Sequence, residues 1–93
     1  MTPEGRNEAY LHKRVEETGG DWRRLKWLGR RGCPDDVIWW PDGKVFFVEV
    51  KAPGEKPKKL QLYEHKLMRK TGLTVFVVDG PEAIDAMLEA IRS

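Results

Sequence analysis

Apolar positions recur at helical spacing at the start of the chain and at every second residue in its middle. Leu11, Val15 and Thr18 share one stripe, Thr2 stands as an N-cap with Pro3 behind it, and Gly19-Gly20 ends the segment. This predicts a helix over 3–18. Arg23-Arg24-Leu25-Lys26-Trp27-Leu28 alternates and predicts a strand, followed by an Arg- and Gly-rich loop over 29–34. Val37–Trp40 and Val45–Lys51 are dense in β-branched and aromatic residues and read as two strands joined by a turn at Pro41-Asp42-Gly43. After a loop from Ala52 to Pro57, a helix is expected over 58–71 with Leu60, Tyr63 and Leu67 on its buried face and Gly72 closing it. Leu73–Val78 reads as a buried strand, and 83–91 as a helix with Ile84, Met87, Leu88 and Ile91 inward.

The order is αβββαβα. A helix linking the hairpin to a following strand implies a right-handed parallel crossover, hence an α/β fold with a mixed central sheet flanked by helices. At 93 residues, one domain over 1–93 is expected, with a thin stability margin. A chain 40% hydrophobic and 34% charged folds rather than staying disordered. The single cysteine, Cys33, excludes an internal disulfide framework and suits a reducing compartment. No apolar run reaches the ~18–20 residues of a membrane span, and residues 1–6 lack the apolar core of a secretory signal. A cytoplasmic protein without membrane contact is expected.

Net charge is only +2, but it is unevenly spread. Arg23, Arg24, Lys26, Arg30 and Arg31 form one basic block. Lys51, Lys56, Lys58, Lys59, Lys66, Arg69 and Lys70 form another, and the segment after Asp79 is acidic. Two basic blocks beside an acidic end fit a polyanion-binding face backed by a solvated one.

Chemistry concentrates at the end of the strand over 45–51. Phe46, Val48 and Val50 take one face of the sheet, and Val45, Phe47, Glu49 and Lys51 the other. Both faces begin apolar, which marks an interior strand, yet Glu49 and Lys51 put opposite charges where Val45 and Phe47 were being buried. A type I turn with Pro41 at its second position and Gly43 left-handed pairs Trp39 with Val45, Val37 with Phe47 and Asp35 with Glu49. Carboxylates facing each other repel, whereas a hard divalent cation turns them into a ligand pair. A two-residue turn would put Asp36 there instead; the role it gives Pro41 favours Asp35. Glu8 shares a helical stripe with Leu11 and Val15, with Glu4 one turn earlier as the competing acid. Gln61 lies where it can reach the same strand end. His12 and His65 have no metal-ligand spacing and read as solvated helix positions, Cys33 as a small loop residue, and Trp22, Trp27, Trp39 and Trp40 mainly as packing residues.

Asp-(x)13-Glu-x-Lys, set among Glu8-Ala9-Tyr10-Leu11, Gly32-Cys33-Pro34-Asp35, Phe47–Gly54 and Leu60-Gln61, resembles the VRR-NUC (virus-type replication-repair nuclease) family of the PD-(D/E)xK superfamily, over about residues 7–79. Asp36 departs from the family pattern, which usually has an apolar or basic residue there. The resemblance implies a restriction-endonuclease-like αβββαβ core with a further C-terminal helix and metal-dependent phosphodiester hydrolysis. Asp35, Glu49 and the backbone carbonyl of Val50 would bind Mg²⁺ or Mn²⁺. Glu8 would bind directly, through water, or at a second metal. Lys51 would orient or deprotonate water or stabilise developing charge, and Gln61 would support the site. Lys26, Arg30, Arg31, Lys56, Lys58 and Lys59 would hold DNA phosphates. Single-domain relatives imply a homodimer cutting four-way junctions in a bacterial or phage-infected cytoplasm. A non-catalytic branched-DNA-binding module and a replication accessory protein are the competing functions.

Overall fold

The computed structural model describes residues 1–92. The elements are α1 (Pro3–Glu17), β1 (Asp21–Arg24), β2 (Asp36–Trp39), β3 (Val45–Val50), α2 (Lys59–Lys70), β4 (Val75–Val78) and α3 (Pro81–Arg92). The strands form one sheet in the order β1-β2-β3-β4, antiparallel except that β3 and β4 run parallel. This is the expected mixed sheet with β3 inside it. Among the described residues no helix is long and apolar enough to cross a membrane.

The N-terminal helix starts as its sequence dictates. The Thr2 hydroxyl accepts the Gly5 N–H at 3.0 Å, capping one of the orphan donors of the first turn. Its buried side is Asn7, Leu11 and Val15. Leu11 and Val15 join Ile84, Met87 and Leu88 of α3 in one core cluster with Ile38, Val48, Val50 and Val78 of the sheet and Trp40 just after β2. The other face of the sheet carries α2.

The hairpin register is the one that the turn chemistry demands. Gly43 has φ +84° and donates its N–H to Trp40 O at 2.9 Å, and Val37 pairs with Phe47 and Trp39 with Val45. The left-handed backbone at Gly43 is strained for any residue with a Cβ. Because this ladder starts at Asp36 opposite Val48, Asp35 lies one step further, level with Glu49. Neighbouring strand residues point to opposite faces. Asp36 therefore faces the core side with α1, and Asp35 the α2 side.

Several expectations need correction, among them the last strand, which covers Val75–Val78 and leaves Leu73 exposed before it. The first strand covers Asp21–Arg24, not 23–28, because its partner β2 begins only at Asp36, which pairs with Arg24. Leu25 still donates its N–H to Asp35 O, at 2.7 Å, but the chain then leaves the sheet. The α2 residues Leu60 and Tyr63 are about half exposed, and the helix instead buries Glu64 and His65. Gln61 and His65 turn toward the sheet where Glu49 lies, while Glu64 is held by Arg30. Val45 is half exposed, so only part of the α2 face of β3 is covered.

Candidate active site

Glu49 is the centre of the α2-side cluster. It is 2% exposed, and both its oxygens are engaged. His65 Nε2 lies 3.2 Å from Oε1, Gln61 Nε2 donates to Oε2 at 3.3 Å, and Lys51 Nζ stands 3.9 Å from Oε2. Gln61 and His65 are four apart on α2, which is why one helix face delivers both. Gln61 is itself oriented, because its Oε1 accepts the Lys58 N–H at 2.8 Å. His65 is completely buried, with Nδ1 unpartnered. Burial, reinforced by Arg69 and Lys51, pushes its imidazole down, so it is neutral. A buried orphan lone pair is better tolerated than a buried orphan N–H, so the proton sits on Nε2 and is donated to Glu49.

Asp35 faces Glu49 across the strand pair, and its Oδ2 accepts the Val50 N–H at 2.9 Å. Burial, then hydrogen bonding to Asp35 and that residue's negative charge, push Glu49 up from an ordinary 4.5 to about 9, against the pull of Lys51; Glu4 adds to the rise. Two oxygen-only ligands forced together at a strand end, each disfavouring the other's charge, fit a hard divalent ion.

The acids of α1 divide differently from the sequence expectation. Glu4 is the one whose charge reaches Glu49. Glu8 hydrogen-bonds with Asp36 instead, on the opposite face, and burial, that bond and the Asp36 charge push it up to about 8. His12, expected in solvent, is largely buried, with Nε2 2.7 Å from Asp36 Oδ1 and its ring stacked on Trp22 at 3.5 Å. His65 is the other histidine that sequence reasoning misplaced. Asn7 was not singled out at all. It is buried, and its Nδ2 donates to Lys51 O and Asp79 O, each at 2.9 Å, tying α1 to the ends of β3 and β4. The spacing Asn7–Leu11–Val15, a strict i, i+4, i+8 row, was the available signal.

The proposed phosphate-binding residues Lys26, Arg31, Lys56, Lys58 and Lys59 are all exposed. Arg30 donates its Nε–H to both oxygens of Glu64, at 3.0 and 3.1 Å, while its side chain stays half exposed. Gly32, with φ +82°, packs so closely on α2 that a Cβ would sit 2.9 Å from Leu60 O. That contact seats the Arg-rich loop against the helix carrying Gln61 and His65. The Cys33 thiol is pushed up, chiefly by burial, so it is not poised as a nucleophile.

No family model matches the sequence. The phage protein "Putative nuclease p44", from Acyrthosiphon pisum secondary endosymbiont phage 1, is 40% identical over 85 residues, covering 91% of this chain and 90% of that protein. A solved structure described as "VRR_NUC domain" is 42% identical and superposes with a TM-score of 0.90 over 96% of this chain and 97% of its own. The chain belongs to the VRR-NUC family. In VRR-NUC terms, Asp35, Glu49, Lys51 and Gln61 gather at one end of the β2–β3 pair, and Glu8 lies behind them with Asp36.

Proposed function

We propose that this VRR-NUC chain is a Mg²⁺- or Mn²⁺-dependent endodeoxyribonuclease that hydrolyses phosphodiester bonds in branched DNA, four-way junctions foremost. The observation that carries the reading is the buried Glu49 carboxyl facing the half-buried Asp35, with Lys51 beside it. Burial and Asp35 push the Glu49 carboxyl up to about 9, and a divalent cation would offset the repulsion behind that rise. Asp35, Glu49 and the Val50 carbonyl would bind the ion. When bound, it compensates phosphate charge and acidifies a neighbouring water. His65 and Gln61 fix the two Glu49 oxygens, and Asn7 fixes the Lys51 backbone. The Lys51 ammonium, held 3.9 Å from Glu49, stabilises negative charge developing on the phosphate. Lys26, Arg31, Lys56, Lys58 and Lys59, with Arg30, bind flanking phosphates, which positions the DNA without reading its sequence. These roles belong to DNA in the cytoplasm.

A four-way junction has approximate two-fold symmetry and needs two symmetric cuts. One chain offers one such site, so a C₂ homodimer supplies both. The half-exposed apolar residues Leu60, Leu62 and Tyr63 on α2 favour self-association. Incubating the protein with a four-way junction, a flap and a linear duplex of equal length, with Mn²⁺ or EDTA, tests the reading, alongside sedimentation. Junction cleavage with Mn²⁺ by a species of twice 10.8 kDa is expected. Equal cleavage of all three DNAs, or cutting by a monomer, overturns the junction assignment. Binding without cleavage favours a non-catalytic module.

A further inference from the structure

On the face of the sheet opposite Glu49, α1 and β2 bring together Glu8, His12 and Asp36. One ligand atom from each residue lies within 4.8 Å of the other two. Glu8 and His12 are four apart on α1, so both project over the start of β2, where Asp36 points up at them. Asp36 is completely buried, and His12 Nε2 meets its Oδ1 at 2.7 Å. Its Oδ2 is also buried and meets no N–H or hydroxyl donor; the group beside Asp36 is the Glu8 carboxyl, which is pushed up by it. A buried carboxylate oxygen without a donor is costly, and native proteins seldom leave one so. Among the described residues only the protonated Glu8 carboxyl offers a further donor, and it gives up that proton when a cation binds. Arg24 reaches only Glu8, at 3.3 Å, and is itself largely exposed. The Trp22 indole N–H is spent on Glu16.

We propose that Glu8, His12 and Asp36 form a second divalent-cation site, distinct from the Asp35–Glu49 pair and selective for a borderline ion of the Zn²⁺ type. One imidazole nitrogen with two carboxylates suits Zn²⁺, Co²⁺ or Mn²⁺ better than Mg²⁺, which prefers oxygen alone. A tetrahedral ion with bonds of about 2.0–2.1 Å needs ligand atoms roughly 3.4 Å apart, so the cluster has the right size after shifts of under about 1 Å. The ring of His12 is stacked 3.5 Å from Trp22 and parallel to within 2°, which holds it with Nε2 beside Asp36 Oδ1. Three protein ligands leave a fourth position open to water. Occupancy would pin α1 to β2 directly behind Asp35.

The site is independent of the nuclease reading, and the test separates the two. Zn²⁺ binding is measured by equilibrium dialysis on Glu49→Gln, which disables the Asp35–Glu49 pair. One Zn²⁺ per chain is expected to remain and to survive millimolar Mg²⁺. Adding His12→Gln should weaken it at least tenfold. If that variant does not fold by circular dichroism, Asp36→Asn, which keeps shape, carries the same comparison. Co²⁺ should give a visible tetrahedral spectrum in Glu49→Gln and lose it in the double variant. Absence of bound Zn²⁺ in Glu49→Gln, or equal binding with and without His12, overturns the proposal whatever the cleavage assays show.

Discussion

Replacing Glu49 with Gln is expected to stabilise the metal-free protein while ending its activity. The folded carboxyl titrates at about 9 and the unfolded one near 4.5. The native state therefore binds the extra proton, and stability falls as pH rises between those values. At pH 7.5 the interval already crossed is about three pH units. At about 1.4 kcal/mol each this gives a ceiling near 4 kcal/mol, of which sharing the proton with Asp35 leaves roughly 2–4 kcal/mol. Glutamine keeps the neutral charge and the shape of the protonated carboxyl: its amide N–H can face Asp35 while its oxygen still accepts one hydrogen bond, and the loss of one acceptor for His65 or Gln61 offsets part of the gain. A domain of this size gains about 4–8 °C in Tm per kcal/mol, so Glu49→Gln should melt at least about 8 °C higher at pH 7.5 in EDTA. The difference should shrink toward zero near pH 4.5. Thermal scans of both proteins from pH 4.5 to 8.5 provide the check. A variant that melts lower at pH 7.5, or a difference independent of pH, would refute the claim that Glu49 is forced against Asp35 in the absence of metal.

Asn7→Ala leaves the buried carbonyl of Lys51 and the part-buried one of Asp79 without their donor; a loss of about 1–3 kcal/mol in urea unfolding, mostly from Lys51, is expected, and a neutral result would mean water replaces the amide. Reversing Lys58 and Lys59 together to Glu should weaken binding to every DNA form alike and flatten log K against log salt by about 0.9 for each phosphate left unneutralised, read by fluorescence anisotropy at several salt concentrations. His65→Gln frees one Glu49 oxygen and should raise the Mn²⁺ concentration needed for half-maximal cleavage about tenfold or more, with recovery at high Mn²⁺; a fall that metal cannot rescue would assign His65 a different task.

What was legible in the sequence was governed by local chemistry. Pro41 and Gly43 encode one turn, the turn sets a register, and the register puts Asp35 level with Glu49 and Asp36 on the other face. The parallel β3–β4 crossover followed from the intervening helix in the same way. Errors arose where a distant partner overrode a local pattern. The apolar residues of α2 suggested a buried Leu60–Tyr63–Leu67 stripe, but Glu49 draws Gln61 and His65 inward. His12 looked solvated because its partner Asp36 lies 24 residues away on another element. The first strand was misplaced because its length is set by where β2 begins, not by its own alternation.

The central claim is that Asp35 and Glu49 hold the divalent ion on which phosphodiester cleavage depends. Its most direct test is calorimetric Mn²⁺ titration and DNA cleavage measured on the same preparations of the native protein and Asp35→Asn. The account predicts that Asp35→Asn stays folded, loses Mn²⁺ affinity by at least tenfold, and cleaves at least a hundredfold more slowly, while still binding DNA. Native-like cleavage by Asp35→Asn, or undiminished cleavage by the native protein in EDTA, would contradict it.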